Sequence, residues 1–451
     1  MRIVVIGDGK VGNAIIQHVS QEGHQVVVVD KNPNVVEDIV NRYDVMGICG
    51  NGTSYQILKE ADAGRAHVVI AVTASDETNM LACVLAKKLG AKSTIARVRS
   101  YEYNDQVKNL MDDLEINMVI NPEKETADDI TKVVNFPEAL RVDSFADGKV
   151  DLVELYISEN SPLVGETLIS MIQKYQVQVL VCAVQRGEEV YIPTGTFAFK
   201  AKDRIHVTAN RSNIKLFINK LGLIESKIKS IFIIGGGKIT SYLGMDLLKN
   251  KYEVKIIEKN YDRCLQLSEL LLNATIIHGD GTSYEVLSEE GLADSDVVIS
   301  LTGEDEENII ISMYAYKQNV KKIIAKVNKE SFVGLMESID MATTVSPKNI
   351  IADRIVSYIR ARNNSRGNNV VTLYKLVNNK VEALEFVAKP KSKVLNKQLK
   401  DIKLKENVLI AGIIRNGKSI IPNGADIIQA DDSVIVVTSG QYLDDLDDIL
   451  E

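Results

Sequence analysis

The chain has 451 residues, of which 45% are hydrophobic and 25% charged, a balance typical of a globular protein with about two to four domains. A net charge of −8 argues against nucleic-acid binding, and four scattered cysteines without a CxxC pair predict neither a bound metal nor a disulfide framework. No apolar run approaches the roughly 20 residues of a membrane span, and no signal-peptide pattern opens the chain, so we expect a cytoplasmic protein that meets a membrane only through a partner.

The first part of the chain alternates short apolar strands with helical periodicity. Strands are predicted near residues 3–6, 25–29, 47–49, 68–72 and 94–96, and helices near 13–21 and 79–89. Alternation of this kind is typical of βαβ units and a parallel sheet. We therefore predict an α/β, Rossmann-like domain at the start of the chain.

A glycine-rich turn follows the first strand and opens the first helix. Its residues are Gly7, Asp8, Gly9, Lys10, Val11 and Gly12, a GxGxxG pattern. The first glycine allows the tight turn, the second lets the backbone approach a pyrophosphate, and the third permits close packing of helix on strand. A phosphate would lie on the free N–H groups at the positive end of the helix.

An acidic residue ends the second strand, about 20 residues further on, as the dinucleotide pattern requires. Asp30 is placed to accept hydrogen bonds from ribose hydroxyls and would repel a 2′-phosphate. We therefore favour NAD(H), or an adenine nucleotide such as ATP or ADP, over NADP. Lys31 weakens this preference somewhat, although we favour its interpretation as a solvated surface lysine.

The other candidate site residues of the first repeat follow later strands. Thr73 and Ala74 end the fourth strand, where ligands bind in open α/β sheets, and Asn79 is expected to face the ligand. Arg97 ends the fifth strand and could donate two hydrogen bonds to a phosphate, or form a plain surface ion pair. Asn51 belongs to a Gly-x-Gly-Thr-Ser-Tyr block, and Asp76 is predicted to cap the next helix.

The whole pattern recurs at a spacing of about 228 residues, as from Gly7 to Gly235. Six blocks match in the same order, which predicts a duplication. The second set of candidate binding residues is Gly235, Gly237, Lys238, Ile239, Thr240, Glu258, Asp280, Thr302 and Lys326. Because Thr240 replaces the third glycine and Lys326 replaces the forked Arg97, we expect binding there to be weaker, altered or absent.

A small α+β domain is predicted after each Rossmann-like domain. The predicted domains are residues 1–134, 135–222, 229–362 and 363–451. Asn121 with Pro122, and Ser346 with Pro347, are expected to start the helix that leaves each larger domain, by a side-chain cap and a proline in the first turn.

A dehydrogenase is the alternative function. It would need a proton-relay residue beside the nicotinamide, and none of the five histidines has an evident acidic partner. A nucleotide-sensing transcription factor would need a helix-turn-helix segment or a basic tail, and neither is visible. Without a nucleophile or metal motif, two Rossmann domains favour a sensor over an enzyme.

The Val-Ile-Gly-x-Gly-x-Val-Gly start, Val29-Asp30, the Gly-x-Gly-Thr block, Val72-Thr73-x-x-Asp76-Glu77-x-Asn79 and Ala96-Arg97-Val98 resemble the RCK (KTN) domain family. This resemblance covers nearly the whole chain and implies a regulatory subunit of a Trk potassium uptake system. It further implies binding of NAD(H) and ATP or ADP, assembly into a homo-oligomeric RCK ring (a dimer or tetramer of chains), and docking under a TrkH-type membrane subunit.

By motif position, the resemblance assigns one site to each repeat. The first comprises residues 7–12 with Asp30, Thr73, Ala74 and Arg97, and the second comprises residues 235–240 with Glu258, Thr302 and Lys326.

Overall fold

A computed structural model describes residues 1–100, 111–145, 149–223, 228–338, 342–364, 370–376, 380–441 and 443–451. It divides into two compact units, each of which draws on both repeats. Unit one comprises Met1–Thr131 with Ile228–Val356, and unit two comprises Lys132–Lys227 with Ser357–Glu451. Like domains of the two repeats therefore share a unit.

The first half of unit one is a six-stranded sheet in the order β3-β2-β1-β4-β5-β6, with every pairing parallel. Its strands are β1 Arg2–Ile6, β2 Gln25–Asp30, β3 Met46–Cys49, β4 Val68–Ala71, β5 Thr94–Arg97 and β6 Met118–Ile120. Its helices are α1 Lys10–Gln21, α2 Pro33–Arg42, α3 Tyr55–Glu60, α4 Asp76–Leu89 and α5 Pro122–Asn135, with a 3₁₀ turn at Ala63–Arg65.

The second half repeats this topology in the order β14-β13-β12-β15-β16-β17. Its strands are β12 Ser230–Ile234, β13 Glu253–Glu258, β14 Thr275–His278, β15 Val297–Ser300, β16 Lys322–Lys326 and β17 Thr343–Val345. The helices are α8 Lys238–Lys249, α9 Tyr261–Leu270, α10 Tyr284–Glu289, α11 Asp305–Lys317, α12 Glu330–Ser338 and α13 Pro347–Asn364, with a 3₁₀ turn at Leu292–Asp294.

The predicted α/β class is confirmed by these two sheets. Residues of β1 from Ile3 to Ile6 are all buried, as expected where helices cover both faces of a parallel sheet. The helices α1 and α4 begin three residues earlier than their apolar periodicity predicted, because the first turn of α1 is part of the glycine pattern and the first turn of α4 is polar. The short edge strands β6 and β17 were not predicted, since three residues carry too little pattern.

Unit two contains two five-stranded antiparallel sheets of one topology, in the orders β7-β8-β11-β9-β10 and β18-β19-β22-β20-β21. The first has β7 Ala139–Phe145, β8 Val150–Tyr156, β9 Leu180–Arg186, β10 Glu189–Tyr191 and β11 Arg204–Ala209, with helices α6 Leu168–Tyr175 and α7 Arg211–Lys220. The second has β18 Val370–Leu376, β19 Val381–Val387, β20 Val408–Arg415, β21 Lys418–Ile420 and β22 Ser433–Ser439, with 3₁₀ turns at Leu399–Asp401 and Leu446–Ile449.

One arginine–aspartate ion pair occurs at matching places in the two small domains. Arg186 donates from Nε and Nη2 to the two carboxylate oxygens of Asp203, both at 2.7 Å. In the other repeat, Arg415 makes the same two bonds to Asp432 at 2.9 and 2.7 Å. Both aspartates are almost completely buried, so each ion pair stabilises its own small domain.

One of the apolar cores of unit two is shared by both small domains. It joins Phe145 and residues of β8 and β9 to residues of β19, β20 and β22, including Ala383, Ala411 and Val437. Burial of this apolar surface favours the paired arrangement of the two repeats. Within the described residues, no helix combines the length and apolar character that crossing a membrane would need.

Candidate nucleotide-binding crevices

The glycine turn of the first repeat lies at the point where the sheet order reverses. β1 lies between β2 and β4, so the strand order reverses on its two sides, and open α/β sheets bind ligands at such a point. Gly7 has a φ of 96°, and a Cβ on it would lie 2.9 Å from the Thr73 nitrogen. The turn and the end of β4 therefore touch each other at the crevice.

The next two glycines of this turn have separate physical roles. Gly9 is extended and caps α1 without any side-chain cap, and a Cβ placed on it would meet no atom within 4 Å. A Cβ on Gly12 would lie 2.1 Å from the Gly7 carbonyl oxygen. Gly12 thus permits the close packing predicted for it, whereas Gly9 leaves space beside the helix N-terminus.

The turn of the second repeat admits a threonine at the third glycine position. Thr240 is fully buried, and its hydroxyl donates a hydrogen bond to the Gly235 carbonyl oxygen. The contact that would be a clash at Gly12 becomes a polar bond here. Gly237 caps α8 without a side-chain cap and has open space around it, as Gly9 has.

Asn79 ties the ends of two strands together. Its Oδ1 accepts bonds from the Thr73 backbone N–H at 2.8 Å and hydroxyl at 2.7 Å, while its Nδ2 donates to the Thr73 and Arg97 carbonyls at 3.2 and 2.9 Å. Its side chain is completely buried. The structure therefore gives Asn79 a positioning role in place of the ligand contact predicted from sequence. Asn308 repeats the arrangement with Thr302 and Lys326.

The predicted cap at Asp76 is wrong. Ser75 is the N-cap of α4, accepting a bond from the Thr78 N–H. Asp76 instead accepts bonds from the backbone N–H groups of Arg99 and Ser100 at 2.9 and 2.8 Å. This carboxylate fixes the chain that leaves β5, and Asp305 does the same for Asn328 and Lys329 in the second repeat.

Arg97 is a buried cation at the carboxyl end of β5, and 9% of the residue is exposed. Burial, with Arg99 next in size, lowers the pKa of its guanidinium, while Glu123 and Asp76 oppose that shift. The Nε atom of Arg97 and three buried atoms of neighbouring residues have no hydrogen-bond partner among the described residues. The three are Asp76 Oδ1, Arg99 Nε and Glu123 Oε2. Such atoms are normally satisfied by water or a ligand, so this cluster fits a polar group entering the crevice.

Asp30 lies at the end of β2, beside the first glycine turn. Its two oxygens accept bonds from the Asp8 and Asn32 backbone N–H groups, both at 2.9 Å. Each carboxylate oxygen retains a second lone pair, which can accept a ribose hydroxyl. The Asp8 carboxyl lies alongside, and burial, supported by the negative charge of Asp30, raises the pKa of Asp8 to about 6.

The remaining predicted residues of the first repeat differ in exposure. Val11 is buried, so only its backbone can face a ligand. The exposed residues are Lys10, Lys31, Asn51 and Ala74. Asn51 Oδ1 accepts bonds from the Thr53 N–H and hydroxyl at 3.0 and 2.9 Å, which closes its own turn.

The second crevice has the longer acid Glu258 in the place of Asp30. Glu258 accepts bonds from the Gly236 and Asn260 N–H groups at 2.6 and 2.7 Å, as Asp30 does. Lys259 pairs with Asp280 at 2.7 Å, and bonds from Lys259 and Thr282 hold the pKa of that carboxyl well below its usual range. Ile239 is buried and Lys238 is exposed.

Arg263 was missed by the sequence analysis. Its guanidinium donates to the Gly236 carbonyl at 2.6 Å and to the Gly237 carbonyl at 3.3 Å, which ties the second glycine turn to α9. The first repeat has Val35 at the matching position. A comparison of the two repeats at this position could have flagged the difference, although not its contacts.

Lys326 ends β16 at the position of Arg97. Burial lowers the pKa of its ammonium, and Lys10 of the first repeat adds to that shift, while Asp305, Glu304 and Glu123 oppose it. Charged groups of one repeat therefore act on the candidate site of the other. Among the described residues, no group of three or more His, Cys, Asp or Glu is placed to hold a metal ion.

Ser346 does not provide the side-chain cap predicted for it. Asn121 Oδ1 accepts the Lys124 N–H at 3.0 Å, which confirms the cap of α5. The Ser346 hydroxyl, by contrast, is buried without a partner in the described part of the chain.

Two family models match the chain, each of them twice. The TrkA-N domain matches residues 3–122 and 231–347, and the TrkA-C domain matches residues 152–222 and 383–451. The paired matches follow the duplication of both sheets.

Curated relatives match over their full length. The chain is 31% identical to the Trk system potassium uptake protein TrkA of Halomonas elongata, covering 97% of this chain and 95% of the relative. It is 31% identical to the TrkA of Vibrio alginolyticus, covering 100% and 99%. A TrkA homolog of Archaeoglobus fulgidus is 30% identical over all of both chains.

Solved structures share the fold at low sequence identity. The RCK domain of GsuK superimposes with a TM-score of 0.63 at 16% identity, covering 97% of this chain and 92% of that one. The GsuK channel bound to NAD gives a TM-score of 0.64 at 16% identity, covering 97% and 77%. These similarities show a common fold of paired RCK domains.

Proposed function

The chain belongs to the TrkA family of Trk potassium uptake proteins, and we propose that it is the nucleotide-sensing regulatory subunit of such a system. In this role it binds NAD(H), ATP or ADP in the first crevice, and in the second with lower affinity. It acts from the cytoplasmic side on a TrkH-type potassium-translocating subunit, as part of a homo-oligomeric ring. Catalysis is not part of the proposal.

The observation that carries the proposal is the buried, incompletely bonded guanidinium of Arg97. A buried cation is costly unless it is paired, and Arg97 Nε has no partner among the described residues. A nucleotide phosphate supplies negative charge and acceptor oxygens in the geometry a guanidinium prefers. The N-terminus of α1, which has no side-chain cap, offers further donors for the same phosphates.

Each residue of the first crevice has a definite task in this proposal. Asp30 accepts the ribose hydroxyls and excludes a 2′-phosphate. Gly9 leaves space for the pyrophosphate to approach the backbone. Asn79 holds Thr73 and the end of β5 in place, so that a displacement of Arg97 is transmitted through hydrogen bonds to the neighbouring strand.

Regulation follows if nucleotides bind two states of the protein unequally. Reversing a 1:99 balance between two states requires roughly 5.5 kcal/mol of differential binding. A coupling of about 1–3 kcal/mol per site is typical, so several sites in one assembly reach that value together. Different phosphate charge beside Arg97 would let ATP, ADP and NADH favour different states.

Calorimetric titration of the full chain with NADH, NAD, ATP and ADP tests the binding. We expect affinities that fall at least about tenfold in Asp30→Ala, which corresponds to about 1.4 kcal/mol. Arg97→Lys, which introduces the residue of the second repeat, should weaken the more highly charged nucleotides most. No binding by the wild type would refute the proposal.

Potassium flux tests the regulatory role. A TrkH-type subunit in liposomes should respond to nucleotide only when the wild-type chain is added. Asp30→Ala should remove that response while the chain still associates with the membrane subunit. A response that persists unchanged with Asp30→Ala would place the sensing elsewhere.

A further inference from the structure

A tyrosine hydroxyl links the helix that follows the second glycine turn to segments that flank the first crevice. Tyr242 lies in α8 of the second repeat and is 6% exposed. Its hydroxyl accepts a hydrogen bond from Asn121 Nδ2 at 2.9 Å and donates one to the Arg99 carbonyl oxygen at 3.4 Å. Both partners belong to the first repeat, so this contact crosses from one repeat to the other within unit one.

Each end of the contact belongs to a candidate binding element. Tyr242 is two residues beyond Thr240, in the helix whose N-terminus forms the second glycine turn. Arg99 follows Arg97 by two residues, and its N–H is held by Asp76. A movement of Arg97 towards or away from a phosphate therefore reaches the Arg99 carbonyl, and through it α8.

The residues that match Tyr242 and Asn121 in the other repeat do not form an equivalent hydrogen bond. The residue of α1 that matches Tyr242 is Ala14, which has no polar side-chain atom. The position that matches Asn121 is Ser346, whose hydroxyl has no partner in the described part of the chain. This particular contact is therefore unsymmetrical, because its hydroxyl comes from the second repeat and the matching residue of the first repeat has none.

We propose that Tyr242 is a positioning residue that couples the two nucleotide sites of one chain, so that occupation of the first crevice changes the affinity of the second. This inference rests on the proposed function and adds a direction and a residue to it. When a nucleotide draws Arg97 into its bound position, the bonds to Arg99 and Asn121 shift α8 and with it the Gly237–Lys238 N–H groups. By linkage, the second site acts on the first to the same extent.

The experiment is a double-mutant comparison in the full chain. ADP is titrated by calorimetry into the wild type, Asp30→Ala, Tyr242→Phe and the combined variant. The affinity of the second site is measured twice, with the first site occupied by ADP and with the first site disabled by Asp30→Ala. The ratio of these two affinities is the coupling factor. We expect a factor of about five or more with Tyr242 present, within the usual range for coupled sites, and a factor near one in the Tyr242→Phe background.

Two further variants separate coupling from folding. Tyr314→Phe removes a hydroxyl from α11 of the same repeat, where Tyr314 packs on Tyr284 with ring centroids 4.9 Å apart, and it should leave the coupling factor unchanged. Asn121→Ser introduces the residue of the second repeat and should lower the factor as Tyr242→Phe does, even if the latter folds poorly.

The outcomes distinguish this inference from the proposed function. A coupling factor that stays the same in Tyr242→Phe and Asn121→Ser overturns the role of Tyr242. A single binding event per chain overturns it too, because no second site would exist to be coupled, yet it leaves the nucleotide sensor intact. Absence of all binding to the wild type refutes the proposed function itself.

Discussion

Asp8 places a carboxyl group in a turn that is proposed to bind phosphates, which are themselves negatively charged. It is half-buried beside Asp30, its Oδ1 has no partner among the described residues, and its pKa is about 6. The native state therefore binds more protons than the unfolded chain between about pH 4 and about 6. Stability from this group is present below that window and is lost as the pH rises through it.

Asp8→Asn removes this titration. We expect the variant to melt at a higher temperature than the wild type at pH 7, because the ionised Asp8 disfavours the folded state there. The difference should shrink as the pH falls through 6 and vanish below about 4, where both states are protonated. Thermal melts across this range check it, and a difference independent of pH would contradict it.

Residue identities alone did not decide the roles of the polar side chains around the crevice. Asn79 was predicted to face a ligand, yet it is buried and bonded to backbone on two strands. Arg263 was overlooked because its partners are carbonyl oxygens 26 and 27 residues earlier in the chain. The hydrogen-bond partner of such a side chain depends on how helices and strands pack together. Residue spacing in the sequence does not specify that packing.

Among the elements, the glycine turn was predictable in detail. An apolar strand, a GxGxxG and a helix follow one another directly, so local chemistry fixes the conformation. The start of α4 was less predictable, because Ser75 and Asp76 are both good caps and only the loop after β5 decides which of them is used.

Two alanine substitutions should separate the roles of the glycines in this turn. Gly12→Ala places a methyl group 2.1 Å from the Gly7 carbonyl oxygen, and we expect a loss of about 1–3 kcal/mol in the free energy of unfolding. Gly9→Ala meets no atom within 4 Å at a φ of −80°, so stability should hold while nucleotide affinity falls. Urea denaturation and calorimetry on both variants check this, and equal stabilities would contradict it.

At the scale of the whole molecule, the shared core of the small domains links the two repeats. Phe145 is 1% exposed within it. Phe145→Ala should cost about 3–5 kcal/mol, as truncation of a buried phenylalanine does. Because the core is shared, hydrogen exchange should rise in β20 and β22 of the second repeat as well as in the first.

Phe217→Ala is the matched control, since Phe217 is equally buried, but in the core of the first small domain. It should raise exchange mainly in that domain. If Phe145→Ala left exchange in β20 and β22 unchanged, the shared core would not stabilise the second repeat.

The sequence by itself determined the local and repeated features of this protein. Apolar strand runs, the glycine turns, Asp30 and the duplicated blocks predicted the α/β fold, the two crevices and the family, because each is encoded within a few neighbouring residues or in a comparison of the two repeats. The tertiary structure decided what lies between distant segments. It paired the like domains of the two repeats and buried Arg97. It also gave Asn79 hydrogen bonds to the ends of two strands, and it brought Tyr242 to Arg99 and Asn121. These contacts join residues more than a hundred positions apart or depend on close packing of side chains, and neither is specified by local pattern.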